Sequence, residues 1–136
     1  MKRVAMIYLL LSAVVPLIFA GDISGKWVSE MQVGDADGKT YTHTSTFTLK
    51  NDGGLLTGRV IQTSAAPWMR EMNGRTVEIS DGMVEGDKFS FKVKLETSNG
   101  ERTSIYEGTI GEDQLEGIIK YRGIGMTRPF HARRDK

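Results

Sequence analysis

The chain has no cysteine, only two histidines, two tryptophans and three prolines in 136 residues, and each scarcity removes a class of chemistry. Without thiols there is no disulfide framework, no thiolate zinc site and no cysteine nucleophile. His43 and His131 lie far apart in the sequence, so a structural zinc site has too few ligands. A Ser45–His43 pair falls two residues apart, but nothing supplies the nucleophile elbow or oxyanion hole that acyl transfer needs. Asp35-Ala36-Asp37-Gly38 begins like a calcium loop. Lys39 then occupies the next ligand position and no bidentate Glu follows, which leaves an acidic hairpin turn. The glycines of 53–58 and 123–125 precede no helical pattern, so they do not cradle phosphate. The expectation is no catalytic residue, no metal and no cofactor.

Long apolar runs are also missing, with one exception. Val4 to Phe19 is interrupted only by Tyr8, Ser12 and Pro16, and follows Lys2 and Arg3. This is the layout of a secretory signal over residues 1–20, with cleavage after Ala20. The run is shorter than the about 20 residues that span a bilayer, and no cysteine follows it for lipid attachment. The reading is an exported protein, periplasmic or secreted, with no stable membrane anchor after cleavage. Loss of Lys2 and Arg3 leaves sixteen basic and seventeen acidic residues. That balance argues against nucleic acid as a partner.

Residues 21–136 form one domain, and their punctuation is that of hairpins. Asp37-Gly38, Asp52-Gly53, Asn73-Gly74, Asp81-Gly82 and Asn99-Gly100 offer the positive φ that tight turns require. Between them the apolar period is two. In Phe89-Ser90-Phe91-Lys92-Val93-Lys94-Leu95-Glu96 every apolar side chain falls on one face. Tyr41, His43, Ser45, Phe47 and Leu49 share a face in the same way, opposite threonines that favour strand. Eight strands are predicted near 25–33, 41–50, 55–62, 76–80, 88–96, 102–110, 114–122 and 128–134, with 83–85 as an extension or a ninth. The one place for a helical turn is Ser64–Met72, with Pro67 early in it. In up-and-down order the long connection 63–75 opens at one end, while most connections at the other end are tight. This describes a barrel with a closed base and an open mouth.

Asp22-Ile23-Ser24-Gly25-Lys26-Trp27 resembles the opening of calycin barrels, the group of lipocalins, fatty-acid-binding proteins and avidins. Their first strand begins Gly-x-Trp, here Gly25-Lys26-Trp27, and a basic residue late in the last strand lies over that Trp. The resemblance implies that Arg133 and Arg134 serve this structural closure. The chain looks like small exported bacterial lipocalin-like proteins of unknown function. Biotin binding is not implied, because the further tryptophans avidins use are absent.

The function class left open is ligand binding. An eight-stranded barrel is either packed solid or just wide enough for one small molecule. Parity turns Phe47, Val60, Phe89, Phe91, Val93, Tyr106, Leu115, Ile119, Tyr121 and Phe130 inward, with the small Gly58 and Gly117 among them. His43, Ser45, Tyr106 and Tyr121 are polar members of that inner set, and Trp68 and Met69 sit in the loop over the mouth. The expected site is therefore His43, Ser45, Trp68, Met69, Phe91, Tyr106 and Tyr121, holding a small, mostly apolar molecule in a cavity of several hundred Å³. The alternative is a solidly packed module that docks on a cell-envelope protein.

Overall fold

The computed structural model describes residues 22–136; the expected signal segment, 1–20, lies outside them. Eight strands follow one another: β1 (Gly25–Gly34), β2 (Thr40–Asp52), β3 (Leu55–Ser64), β4 (Thr76–Glu85), β5 (Lys88–Thr97), β6 (Gly100–Ile110), β7 (Gln114–Tyr121) and β8 (Met126–Arg134). Each pairs antiparallel with the next, and β8 returns to β1, closing an up-and-down barrel. The period-two pattern is the cause. Phe89, Phe91, Val93 and Leu95 of β5 are buried while Lys88, Lys94 and Glu96 are exposed, so only a curved, one-sided sheet satisfies the sequence.

One dipeptide reads differently in three dimensions. Asp81-Gly82 is not a turn but a bulge inside β4. The register shifts there against both β3 and β5, and Asp81 takes a φ of 50°. Met83–Glu85 thereby extends β4, and the chain reverses later, at Gly86, whose φ is 63°. The carboxylate of Asp81 meets Lys92 Nζ at 3.1 Å on the outer wall. A bulge adds local twist, which a closing sheet needs.

A cluster of aromatic rings fills the middle of the interior, among buried aliphatic side chains such as Val60, Leu115 and Ile119. Phe47 lies 5.6 Å from Phe91, 5.6 Å from Tyr106 and 5.7 Å from Phe130 between centroids, and Phe91 stacks on Tyr106 at 4.9 Å. Gly108 stands opposite Phe89 and Gly117 opposite Phe130. These glycines leave no empty space, since a Cβ on either would overlap a backbone carbonyl oxygen of the facing strand. The Phe89 and Phe130 rings meet 6.2 Å apart.

At the base, Trp27 is fully buried and donates its indole N–H to the Ile23 carbonyl at 2.7 Å. The Arg134 guanidinium lies 4.2 Å over that ring. It also donates to the carbonyl oxygens of Ser24 (3.0 Å), Asp22 (2.8 Å) and Glu112 (3.3 Å). One side chain thus ties the N-terminal segment to the β6–β7 turn. Arg133 points outward and pairs with Glu30 at 3.2 Å. Arg134→Met should lower stability by about 2 kcal/mol, the sum of a partly buried cation–π contact and charged hydrogen bonds. Arg133→Met should cost no more than about 0.5 kcal/mol, being an exposed pair. Urea denaturation of both variants checks the contrast.

Candidate functional site

Above the rings the inner wall turns polar. Ser29, Met31 and Val33 of β1 face inward beside His43 and Ser45 of β2 and Gln62 of β3. The cross-strand pairs Ser29↔Ser45↔Gln62 form one inward row, and Met31↔His43 the next one toward the mouth. Tyr121 of β7 and Arg128 of β8 complete the ring of residues. Arg128 shares the inward parity of Phe130 and Ala132, both buried. Ser29, His43, Ser45 and Gln62 are all buried, at 5–7 % exposure, whereas Tyr121 and Arg128 are half-buried.

This layer is incompletely satisfied. Among the described residues, His43 Nδ1 and Gln62 Oε1 are buried with no hydrogen-bond partner. Such atoms are rare in native interiors and cost about 1–3 kcal/mol each when left unpaired. His43 and Ser45 share no hydrogen bond among the described residues, so the pair lacks the contact a nucleophile and its base require. Arg128 Nη1 touches Met31 Sδ at 3.4 Å, and no carboxylate of the described residues lies within 4 Å of its guanidinium.

Charge state follows from this placement. Burial, with Arg128 nearby as the smaller cause, holds the His43 imidazole below its usual value of 6.5. Burial raises the Tyr121 phenol, and Arg128 partly offsets it. Tyr106, deeper, is pushed up further by burial and then by Tyr121. The layer therefore holds neutral imidazole, neutral phenols and one full cation near neutral pH. Because the folded protein resists protonating His43 while the unfolded chain does not, stability should fall as pH drops through about 6.5 toward the lower folded value. His43→Gln should flatten the slope of unfolding free energy against pH between about 7 and 5, as followed by denaturant titration.

The 64–75 loop spans one side of the mouth. Pro67–Met69 forms a single 3-10 turn, within the stretch where a helical turn was expected. Trp68 is 52 % exposed and meets Tyr41 edge-on at 5.6 Å. Met72, not Met69, packs on the core from this loop. Glu71 accepts from the Ser98 backbone N–H at 3.0 Å, and Arg75 donates to the Glu96 carbonyl at 2.9 Å. The loop is thereby tied to β2 on one flank and to the β5–β6 turn on the other.

The opposite side is open in its backbone. The β1–β8 ladder lasts two residue pairs, Trp27↔Arg134 and Val28↔Arg133. Arg134 N–H donates to Asp113 of the β6–β7 turn, while Asp135 N–H donates to Lys26 of β1. Strand alternation then aims the backbone of residues 127, 129 and 131 toward β1. Pro129, which has no N–H, falls in that set, where the ladder has already ended. The seam above Val28 is bridged instead by side chains, Arg133 to Glu30 and Arg128 to Met31.

Of the residues expected at the site, His43, Ser45 and Tyr121 lie together in the polar layer. Phe91 and Tyr106 belong to the ring stack beneath it, and Trp68 and Met69 to the rim. Gln62 and Arg128 were missed, although their parity with Val60 and Phe130 marks both as inward. The expected internal cavity has no counterpart in two grooves of about 340 and 400 Å³, which lie on the outer wall over Gly108 and Gly58. Comparisons with known protein families, with curated proteins and with solved structures return no match for this chain.

Proposed function

We propose that this protein is an exported, lipocalin-like barrel that binds one small molecule in the polar layer beneath its mouth and performs no chemistry on it. The observation that carries the reading is the pair of orphaned buried atoms, His43 Nδ1 and Gln62 Oε1. A wall evolved only to be packed would place aliphatic groups there, as the same barrel does lower down with Val60, Leu115 and Ile119. A ligand that satisfies both atoms recovers their desolvation cost on binding. Met31, Val33 and Met72 offer apolar contact beside them, so the guest is amphipathic, with its polar end down. Entry follows the seam between β1 and β8, where the ladder among the described residues is two pairs long.

The rival reading, a docking module for an envelope protein, draws on the solid ring stack and on exposed Ile124 (68 %) and Met126 (46 %) in and beside the β7–β8 turn. Native mass spectrometry of protein purified from its own host separates the two. The binding reading expects a small-molecule adduct on the wild type that disappears in Ser45→Phe, which fills the layer. Repeated wild-type preparations that carry no adduct, yet retain a co-purifying protein, would favour the rival.

A further inference from the structure

We infer that the molecule bound in the polar layer is a small organic acid, its carboxylate held by Arg128 and a neighbouring hydroxyl or amide N–H donated to Gln62 Oε1. The inference rests on the binding reading above and adds the ligand's chemical class.

Arg128 is the first support. It faces into the barrel, is half-buried, and among the described residues has only a thioether sulfur within hydrogen-bond reach, a weak acceptor. Arg134, on the same face of β8, shows how this fold treats a structural guanidinium: it saturates Arg134 with carbonyl oxygens and an indole face. Arg128 receives none of that. Five ion pairs occur among the described residues and none includes it; residues 1–21 contain no Asp or Glu. A guanidinium left with its planar fork of donors unused fits a planar, two-oxygen anion.

The charge count of the layer selects the anion. Arg128 is the full cation beside His43 and Tyr121, and His43 is kept neutral by burial and by Arg128 itself. Tyr121 and Tyr106 hold their protons. None of the inward-parity positions around the layer carries a carboxylate: they are Ser29 and Met31 of β1, His43 and Ser45 of β2, Gln62 of β3, Val77 and Ile79 of β4, Val93 and Leu95 of β5, Ser104 of β6, and Tyr121 of β7. One positive charge balances a carboxylate and leaves a doubly charged phosphate half-compensated in a poorly solvated site. Gln62 Oε1 supplies the second constraint. As an unmet acceptor it asks the ligand for a donor, which a plain carboxylate does not carry. A hydroxy acid or an N-acyl amino acid carries both groups within one or two bonds.

Isothermal titration with three probes tests this: 2-hydroxyhexanoate (acid and donor), hexanoate (acid only) and 1,2-hexanediol (donor only). The wild type should bind them in that order of strength. Arg128→Met should weaken both acids about tenfold or more and leave the diol unchanged. Gln62→Leu should erase the advantage of the hydroxy acid over hexanoate. Gln62→Glu, which puts a carboxylate of the protein's own into the layer and repels a second anion, should weaken acid binding more than Gln62→Leu does. Unfolding midpoints matching the wild type show that each variant is folded. If the diol binds as tightly as the hydroxy acid, or Arg128→Met leaves acid binding intact, the acid assignment falls while the binding reading stands. If none of the three probes binds the wild type, the binding reading falls with it.

Discussion

Phe47→Ala should lower the free energy of unfolding by about 4 kcal/mol, the upper part of the range for deleting a buried ring. Phe47 is completely buried and touches three other rings, Phe91, Tyr106 and Phe130, on different strands. Deleting it removes apolar area and also opens a void that the surrounding rings cannot close. They are pinned by strands whose register is fixed on both sides. Phe47→Leu keeps most of the volume and should cost about 1–2 kcal/mol. In urea titrations both variants should shift the midpoint without changing the slope. A loss below about 1.5 kcal/mol for the alanine variant would mean that the centre of the barrel has slack, contrary to the solid stack described. That outcome would also move the place for a ligand downward. Against a total stability of about 5–15 kcal/mol for a domain of this size, the expected loss is large.

Gly117→Ala should cost about 3 kcal/mol or more, although it adds a single methyl group. A Cβ on Gly117 would overlap the backbone carbonyl oxygen of Glu107 and stand 2.6 Å from the Gly108 Cα. Neither neighbour can rotate away, because both are backbone atoms of β6, held in a ladder with β5 on the far side. The strands can approach this closely because the directly paired residues, Gly108 and Gly117, both lack a Cβ. Gly74 provides the comparison. Its φ is 79°, and a Cβ there meets nothing within 4 Å, so Gly74→Ala should cost only about 1 kcal/mol of backbone strain. Thermal unfolding of the two variants side by side gives the answer. Equal losses would show that conformational preference, not the close approach of β6 and β7, is what these glycines provide.

Much of this architecture is legible in one dimension, for a physical reason. Alternation along β2 and β5 places Phe47, Phe89, Phe91 and Val93 inward whatever the neighbouring strands do, because side-chain direction in a strand is local. The base closure is legible too, since the last strand of an even-numbered meander must end beside the first. What was not legible depends on partners. Asp81-Gly82 has the composition of a turn, and only simultaneous pairing of β4 with β3 and β5 makes it a bulge. Gly58 and Gly117 look like vacant space in the sequence, because the backbone that closes on them belongs to neighbouring strands. Arg128 illustrates a third case. Its inward parity was available from Phe130 and Ala132. Its significance was not, since a lone cation is recognised only when all facing strands are seen to lack a carboxylate.

The account depends on a division of the barrel into a solid ring stack below and an unsatisfied polar layer above. Mapping chemical shifts by NMR while titrating the wild type with 2-hydroxyhexanoate tests that division most directly. The predicted result is a set of perturbations confined to His43, Ser45, Gln62, Tyr121 and Arg128, with Leu115, Val60 and the outer wall unmoved. Perturbations centred instead on the grooves over Gly58 or Gly108, with His43 and Gln62 silent, would contradict it.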